Sequence, residues 1–205
     1  PANSLHVGQF DVRRFDDAPH DVAKSQGLAY ADAVRDAIGE VEPHVLRAFG
    51  TLSGSMIHDL YGLRTLFGVP DRVVNVEVWR AGGAVSFTLA YANGARCVAT
   101  WVDLPGLWDF RETLEAFADD RRVTLSYPTG FARGIQSSVV IQGVDGDGVT
   151  YQREPALPWE GAFSRELRHF HDCIVSGAQC RTPVESARED VALIIDIVAR
   201  YVEGA

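Results

Sequence analysis

His58, Tyr61 and Thr65 share one face of the stretch 53–68, SGSMIHDLYGLRTLFG. An imidazole and a phenol one helical turn apart can pass a proton to or from a bound hydroxyl, because imidazole changes charge nearest neutral pH. Gly54, one turn before His58, leaves little bulk beside them, so this face can line a pocket. A structural role competes with that reading: a lone histidine bordering a core is usually hydrogen-bonded to a carbonyl or carboxylate and does no chemistry. The segment by itself leaves both open.

The elements that must position this face are legible from periodicity. Met56, Leu60, Leu63 and Phe67 recur at intervals of four, three and four, the apolar stripe of a buried amphipathic helix, and Gly68 and Pro70 stop it. Upstream, residues 1–15 alternate loosely through Leu5, Val7, Phe10 and Val12 and read as a first strand beginning almost at residue 1. Asp21 to Ile38 reads as a helix closed by Gly39, with Val22, Leu28, Ala31, Val34 and Ile38 apolar. Pro43 suits the first turn of another helix, which can continue across Gly50 and Gly54 into the His58 segment. The helical region is therefore expected over 16–69.

From 70 to 158 the period becomes two. Segments 73–79, 84–91, 95–102, 110–117, 123–127 and 138–143 are rich in β-branched and aromatic residues, and turn signals such as Asn93-Gly94 and 145–148 (DGDG) separate them. Turns this short join antiparallel strands, so a meander of about six strands is expected. Trp79, Trp101 and Trp108 are aromatics that either complete the core or mark a face covered by a second subunit. Over 159–205 helices return: Phe163, Leu167, Phe170 and Ile174 form a stripe ended by Gly177. Thr182-Pro183-x-Glu185 reads as an N-cap and first turn for a helix over 184–202. Strands and helices in blocks predict an α+β protein, here one domain over 1–205 with a large open, mostly antiparallel sheet and helices on one face.

Composition narrows the function classes. A net charge of -9 without any Lys/Arg cluster argues against a nucleic-acid partner. No apolar run approaches the roughly 20 residues needed to span a bilayer, and no secretory pattern opens the chain, so a cytoplasmic protein without a membrane partner is expected. Cys97, Cys173 and Cys180 show no CxxC and no metal spacing, which predicts reduced core thiols, no disulfide framework and no metal site. There is no GxGxxG, no GxxxxGK[ST], no GxSxG and no HExxH.

The segment 54–68, the meander, the tail 163–177 (FSRELRHFHDCIVSG) and 181–190 (RTPVESARED) together resemble the C-terminal domain of the Gfo/Idh/MocA family of nicotinamide-dependent oxidoreductases. The resemblance covers nearly the whole chain, and the tail is its most specific part. It implies an open sheet that supplies a substrate-pocket wall and a subunit interface. It also implies NAD or NADP held mainly by a preceding Rossmann domain that, with its glycine fingerprint and catalytic lysine, is missing from these residues. The abrupt first strand fits the start of the second domain of such an enzyme.

His58 matches the family's helix histidine, which pairs there with an aspartate one turn earlier and a lysine to move a proton. Two positions depart from that pattern: Gly54 stands four before the histidine, and Tyr61 stands where the family often has aspartate. The expected catalytic residues are His58 and Tyr61. Asp59, Arg64, Trp101, Asp103 and Arg111 are candidates for binding a small-molecule substrate, a sugar, polyol or related hydroxyl compound. Asp59 points about a hundred degrees away from His58 on a helix and cannot simply replace the missing aspartate, and Arg64 has a salt-bridge role as its rival reading. A homodimer or higher homo-oligomer through the sheet face is expected. The alternative is a stand-alone, non-catalytic binding or dimerisation module; a cofactor-free enzyme using His58 with Asp59 is a third, weaker reading.

Overall fold

The computed structural model describes residues 20–107, 109–129 and 135–204. The expected first strand over 1–15 and Trp108 lie outside them. The chain forms two compact units, one made of 20–105 with 182–204 and the other of 106–181. No helix among the described residues is long and apolar enough to cross a membrane.

The first unit carries α1 (His20–Ile38), α2 (Pro43–Thr51), a π-helical turn (Leu52–Met56), α3 (Ile57–Phe67), strands β1 (Arg72–Trp79), β2 (Ala84–Ala90) and β3 (Arg96–Val102), and α5 (Val184–Glu203). The strands pair antiparallel in the order β1-β2-β3. In this register Val76 and Val78, Val85, Phe87 and Leu89, and Cys97, Ala99 and Trp101 share the face that packs on the helices. Side chains alternate across a strand, so the opposite face carries Trp79, Thr88, Val98, Thr100 and Val102. Against the apolar face lie Val34 of α1, Val45 and Phe49 of α2, Leu52 and Met56 of the π turn, Leu60 of α3, and Leu193, Ile194, Ile197 and Val198 of α5. Ile194, Ile197 and Leu60 are almost fully buried, each removing side-chain surface worth about 1.5–3 kcal/mol from water.

Two details depart from expectation. Phe67 is 40% exposed, its ring 6.0 Å from that of the buried Tyr91, since the stripe of α3 turns away from the core after Leu63. Only the last part of α1 is buried: Val34 is in the core, whereas Val22 and Leu28 are exposed.

The β1–β2 turn is conformationally demanding. Arg80, Ala81 and Gly82 all have positive φ (53°, 52° and 81°). Gly82 also lies against α2, where a Cβ would sit inside contact distance of the His44 carbonyl and 2.9 Å from Arg47 Cβ. Only glycine fits both demands.

The second unit contains β4 (Glu112–Phe117), β5 (Arg121–Tyr127), β6 (Ser138–Val144), β7 (Thr150–Arg153) and α4 (Ala162–Ser176). Its strands pair antiparallel in sequence order. The expected DGDG turn is present: Asp145 Oδ1 accepts from the N–H groups of Asp147 and Val149 at 3.0 and 2.9 Å. Gly143 faces Tyr151 across the ladder, and a Cβ there would meet the phenol at 2.7 Å.

The α+β class with antiparallel sheets therefore holds, but among the described residues the meander has seven strands in two sheets, not six in one. The break follows from Pro105, which lacks a ladder donor, and Gly106, at φ 89°. The seventh strand, β7, was too short to signal itself. Gly177, at φ 67°, ends α4 as expected. The N-terminus of α5 differs: Pro183, not Thr182, occupies the N-cap position and no side chain caps the helix.

Candidate active site

The π-helical turn sets the phase of the site. Its i→i+5 bonding pattern, in place of i→i+4, inserts one extra residue between α2 and α3. The residue one turn before His58 is then offset from the four-residue spacing of an α-helix, and Ser53 and Gly54 share that position. Ser53 donates its hydroxyl to the Phe49 carbonyl at 2.8 Å. Gly54 is exposed, and a Cβ there would meet open space.

Three faces of α3 then diverge. Met56, just before the helix, and Leu60 and Leu63 within it go into the core. Asp59, half-buried, acts electrostatically on Cys97 of β3, whose thiol is pushed up first by burial and then by that carboxylate. His58 and Tyr61 face α5 and line a cavity of about 270 Å³ with Ile57, Thr182, Ser186, Ala187 and Asp190. His58 itself is exposed, not buried as its helix suggested, because it stands at the cavity rim.

Beneath this cavity a charged network ties α3 to α5. Arg64 Nε donates to Asp190 Oδ1 at 2.8 Å and Nη2 to Asp190 Oδ2 at 3.0 Å, a bidentate pair. Nη1 donates to Glu189 Oε2 at 2.8 Å, and Nη2 also donates to Ser186 Oγ at 2.7 Å and its carbonyl at 3.0 Å. Asp190 is the buried charged residue of this core, 3% exposed. Its hydrogen bond is the largest influence raising the Arg64 pKa, partly opposed by desolvation. The Arg64 guanidinium also lies 5.7 Å from the centroid of the Tyr61 ring, packing the phenol from below.

The remaining expected site residues are placed elsewhere. Trp101 lies on the core-facing side of β3 and packs against the buried cluster. Asp103, just past β3, accepts from Arg47 Nη2 at 3.1 Å, and its N–H bonds the Gly83 carbonyl at 2.7 Å, closing the β1–β2 turn. Arg111 is exposed, immediately before β4, in the other compact unit. Thr182, Ser186 and Asp190 also line the cavity, and their residue types and spacing alone assign them no site role. The signal for Asp190 was present, an Asp five residues after Thr-Pro-x-Glu with an arginine on the facing helix.

No family model and no curated protein matches the chain. Solved structures do. A protein from Desulfitobacterium hafniense described as an NADPH-dependent oxidoreductase matches with a TM-score of 0.64 and 12% identity, over 77% of this chain and 47% of that one. An oxidoreductase from Bacillus cereus matches with a TM-score of 0.58 and 15% identity, over 73% and 57%. UDP-N-acetylglucosamine 3-dehydrogenase GnnA from Acidithiobacillus ferrooxidans matches with a TM-score of 0.55 and 16% identity, over 71% and 45%. The fold is thus one found in oxidoreductases, and the chain spans about half the length of the structures it matches.

Proposed function

We propose that this chain is the substrate-binding and oligomerisation half of an NAD(P)-dependent oxidoreductase of the Gfo/Idh/MocA type, acting on a sugar, polyol or related hydroxyl compound. The observation that carries the proposal is the His58 and Tyr61 pair facing the hydroxyl-bearing start of α5 across one cavity. Its fold, shared with about half the length of several oxidoreductases, supports the same reading.

The dinucleotide itself does not fit these residues. The cavity, about 270 Å³, falls below the roughly 300–1,000 Å³ of pockets for drug-sized ligands, and a dinucleotide is larger still. The proposal therefore gives NAD or NADP to a part of the enzyme outside these residues and assigns only the proton to this chain. His58 takes the proton of the substrate hydroxyl on an imidazole nitrogen during oxidation and returns it in the reverse direction. Tyr61 orients the same oxygen, and Thr182 and Ser186 bind neighbouring hydroxyls. Oligomerisation falls to the sheet face opposite the helices, where Trp79, Val98 and Val102 are exposed.

The test is turnover of the longest native polypeptide containing this chain, with NAD or NADP and a panel of sugars and polyols. General acid–base catalysis contributes about 10²–10⁴-fold, so His58→Ala should lower kcat by at least about 10²-fold. Unchanged turnover in that variant removes His58 from the reaction. The open space at Gly54, where the resemblance expects a carboxylate, favours a second reading as a non-catalytic binding module. Saturable sugar binding without turnover in the native polypeptide would select it. Sedimentation showing a monomer would remove the oligomerisation role from either reading.

A further inference from the structure

The end of α4 and the loop after it gather three soft ligand side chains that the cysteine spacing did not reveal. His169 and Cys173 are four residues apart and so lie on one helical face. Gly177, in the left-handed conformation, turns the chain back, and Cys180 returns to that face. One donor atom from each of His169, Cys173 and Cys180 lies within 4.8 Å of the others. Cys173 Sγ is 3.5 Å from His169 Nε2. A tetrahedral zinc ion, with Zn–S about 2.3 Å and Zn–N about 2.0–2.1 Å, sets nitrogen and sulfur roughly 3.5 Å apart.

The tautomer of His169 is also fixed. The backbone N–H of Arg181 donates to Nε2 at 3.0 Å, so Nε2 carries the lone pair, on the side of the thiols, and Nδ1 carries the proton. That is the form in which imidazole binds a metal. Cys180 is exposed and the other two are half-buried, so an ion can reach the site from solvent.

We propose that His169 Nε2, Cys173 Sγ and Cys180 Sγ bind one zinc ion, with water in the fourth position. Two cysteine S–H protons leave to solvent as the thiolates form, and the Arg181 N–H yields Nε2 to the metal. The ion fastens the loop 177–181 to the end of α4. This site is independent of the His58 cavity and of the oxidoreductase reading.

The test uses the full chain, reduced, stripped with a chelator and titrated with Zn²⁺ alone, with Co²⁺ as a spectroscopic substitute. About one equivalent should bind, and the Co²⁺ form should show thiolate-to-cobalt charge transfer and the intense visible bands of a tetrahedral site. Cys173→Ser and Cys180→Ser should each abolish stoichiometric binding while leaving the circular dichroism spectrum unchanged. His169→Ala should weaken it by more than the roughly 10- to 100-fold that loss of an outer-shell partner costs, and Cys97→Ser should leave it unchanged. Binding below about 0.1 equivalent with free thiols overturns the proposal. So does zinc retained by the Cys173→Ser/Cys180→Ser double variant. A pair of thiols that closes into a Cys173–Cys180 disulfide, and after reduction still takes up no zinc, overturns it too.

Discussion

Replacing Arg64 with methionine should destabilise the first compact unit severely, and the structure says which contacts carry the cost. The two ends of the Arg64 network differ in burial: the side chains of Arg64 and Asp190 are 12% and 5% exposed, whereas that of Glu189 is 55% exposed. The Glu189 pair sits largely in water and contributes about 0–1 kcal/mol. The Asp190 carboxylate, left with neither of its guanidinium bonds, remains in the core, and breaking such a buried pair costs about 3–5 kcal/mol. In urea, with m near 2 kcal/mol/M, that is a fall in midpoint of about 1.5–2.5 M, read by far-ultraviolet circular dichroism. Glu189→Gln should shift the midpoint by less than about 0.5 M. The double variant Arg64→Met/Asp190→Leu should recover much of the loss, because it removes the stranded charge along with its partner. If Arg64→Met and Glu189→Gln cost the same small amount, or the double variant is worse than the single, the network is not what fastens α3 to α5.

Two further outcomes follow from backbone strain and from burial. Gly82→Ala should cost more than about 2 kcal/mol, combining a left-handed penalty of roughly 1–2 kcal/mol with the clash against α2, whereas Ala81→Gly, at φ 52° in open turn geometry, should be neutral or stabilising by up to about 1 kcal/mol; chemical denaturation of the two variants checks the contrast. Tyr91, buried beside Cys97, has its phenol pushed up to about 12, mainly by desolvation; the unfolded chain ionises this phenol first, so stability is full below its ordinary value near 10 and falls as pH rises through about 12. Tyr91→Phe should flatten that alkaline decline, and an unchanged pH profile would show that the phenol does not differ between the two states.

The fold was legible where one period dominated. The alternating burial of β3 and the four-three stripe of α4 could be read directly, and the turn residues Asn93-Gly94 and 145–148 marked hairpins that are present. The break between the two sheets was not legible, since 104–106 (LPG) looks like any turn. The site was partly legible. His58 and Tyr61 fall where helical spacing put them. Arg64 and Trp101, by contrast, could not be sorted between pocket and core without knowing which helix faces them, because residue type and period do not carry long-range pairing. Thr182 misled most: its Thr-Pro-x-Glu context matches a capped helix start, yet Pro183 takes the cap position and Thr182 is left beside His58. The closeness of His169, Cys173 and Cys180 is hidden in the sequence for a similar reason, since Cys180 reaches His169 only through the reversal at Gly177.

The charge pattern of the cavity bears on what it would hold. Its one carboxylate, Asp190, is neutralised by the bidentate Arg64, and the Ser186 hydroxyl accepts from the same guanidinium. Ser186 therefore keeps its own O–H to donate, a consequence of the hydroxyl being both donor and acceptor. His58, Tyr61 and Thr182 add groups that can likewise donate or accept. Arg64 is committed to Asp190, Glu189 and Ser186, so an acidic substrate would find no free guanidinium at this cavity, and a basic one no uncommitted carboxylate. A neutral compound carrying several hydroxyls, the substrate class proposed above, would meet these groups without stranding a charge. Competition by a neutral sugar but not by its uronic acid, measured as loss of binding at equal concentration, would show a preference for that class; tighter binding of the uronic acid would refute it.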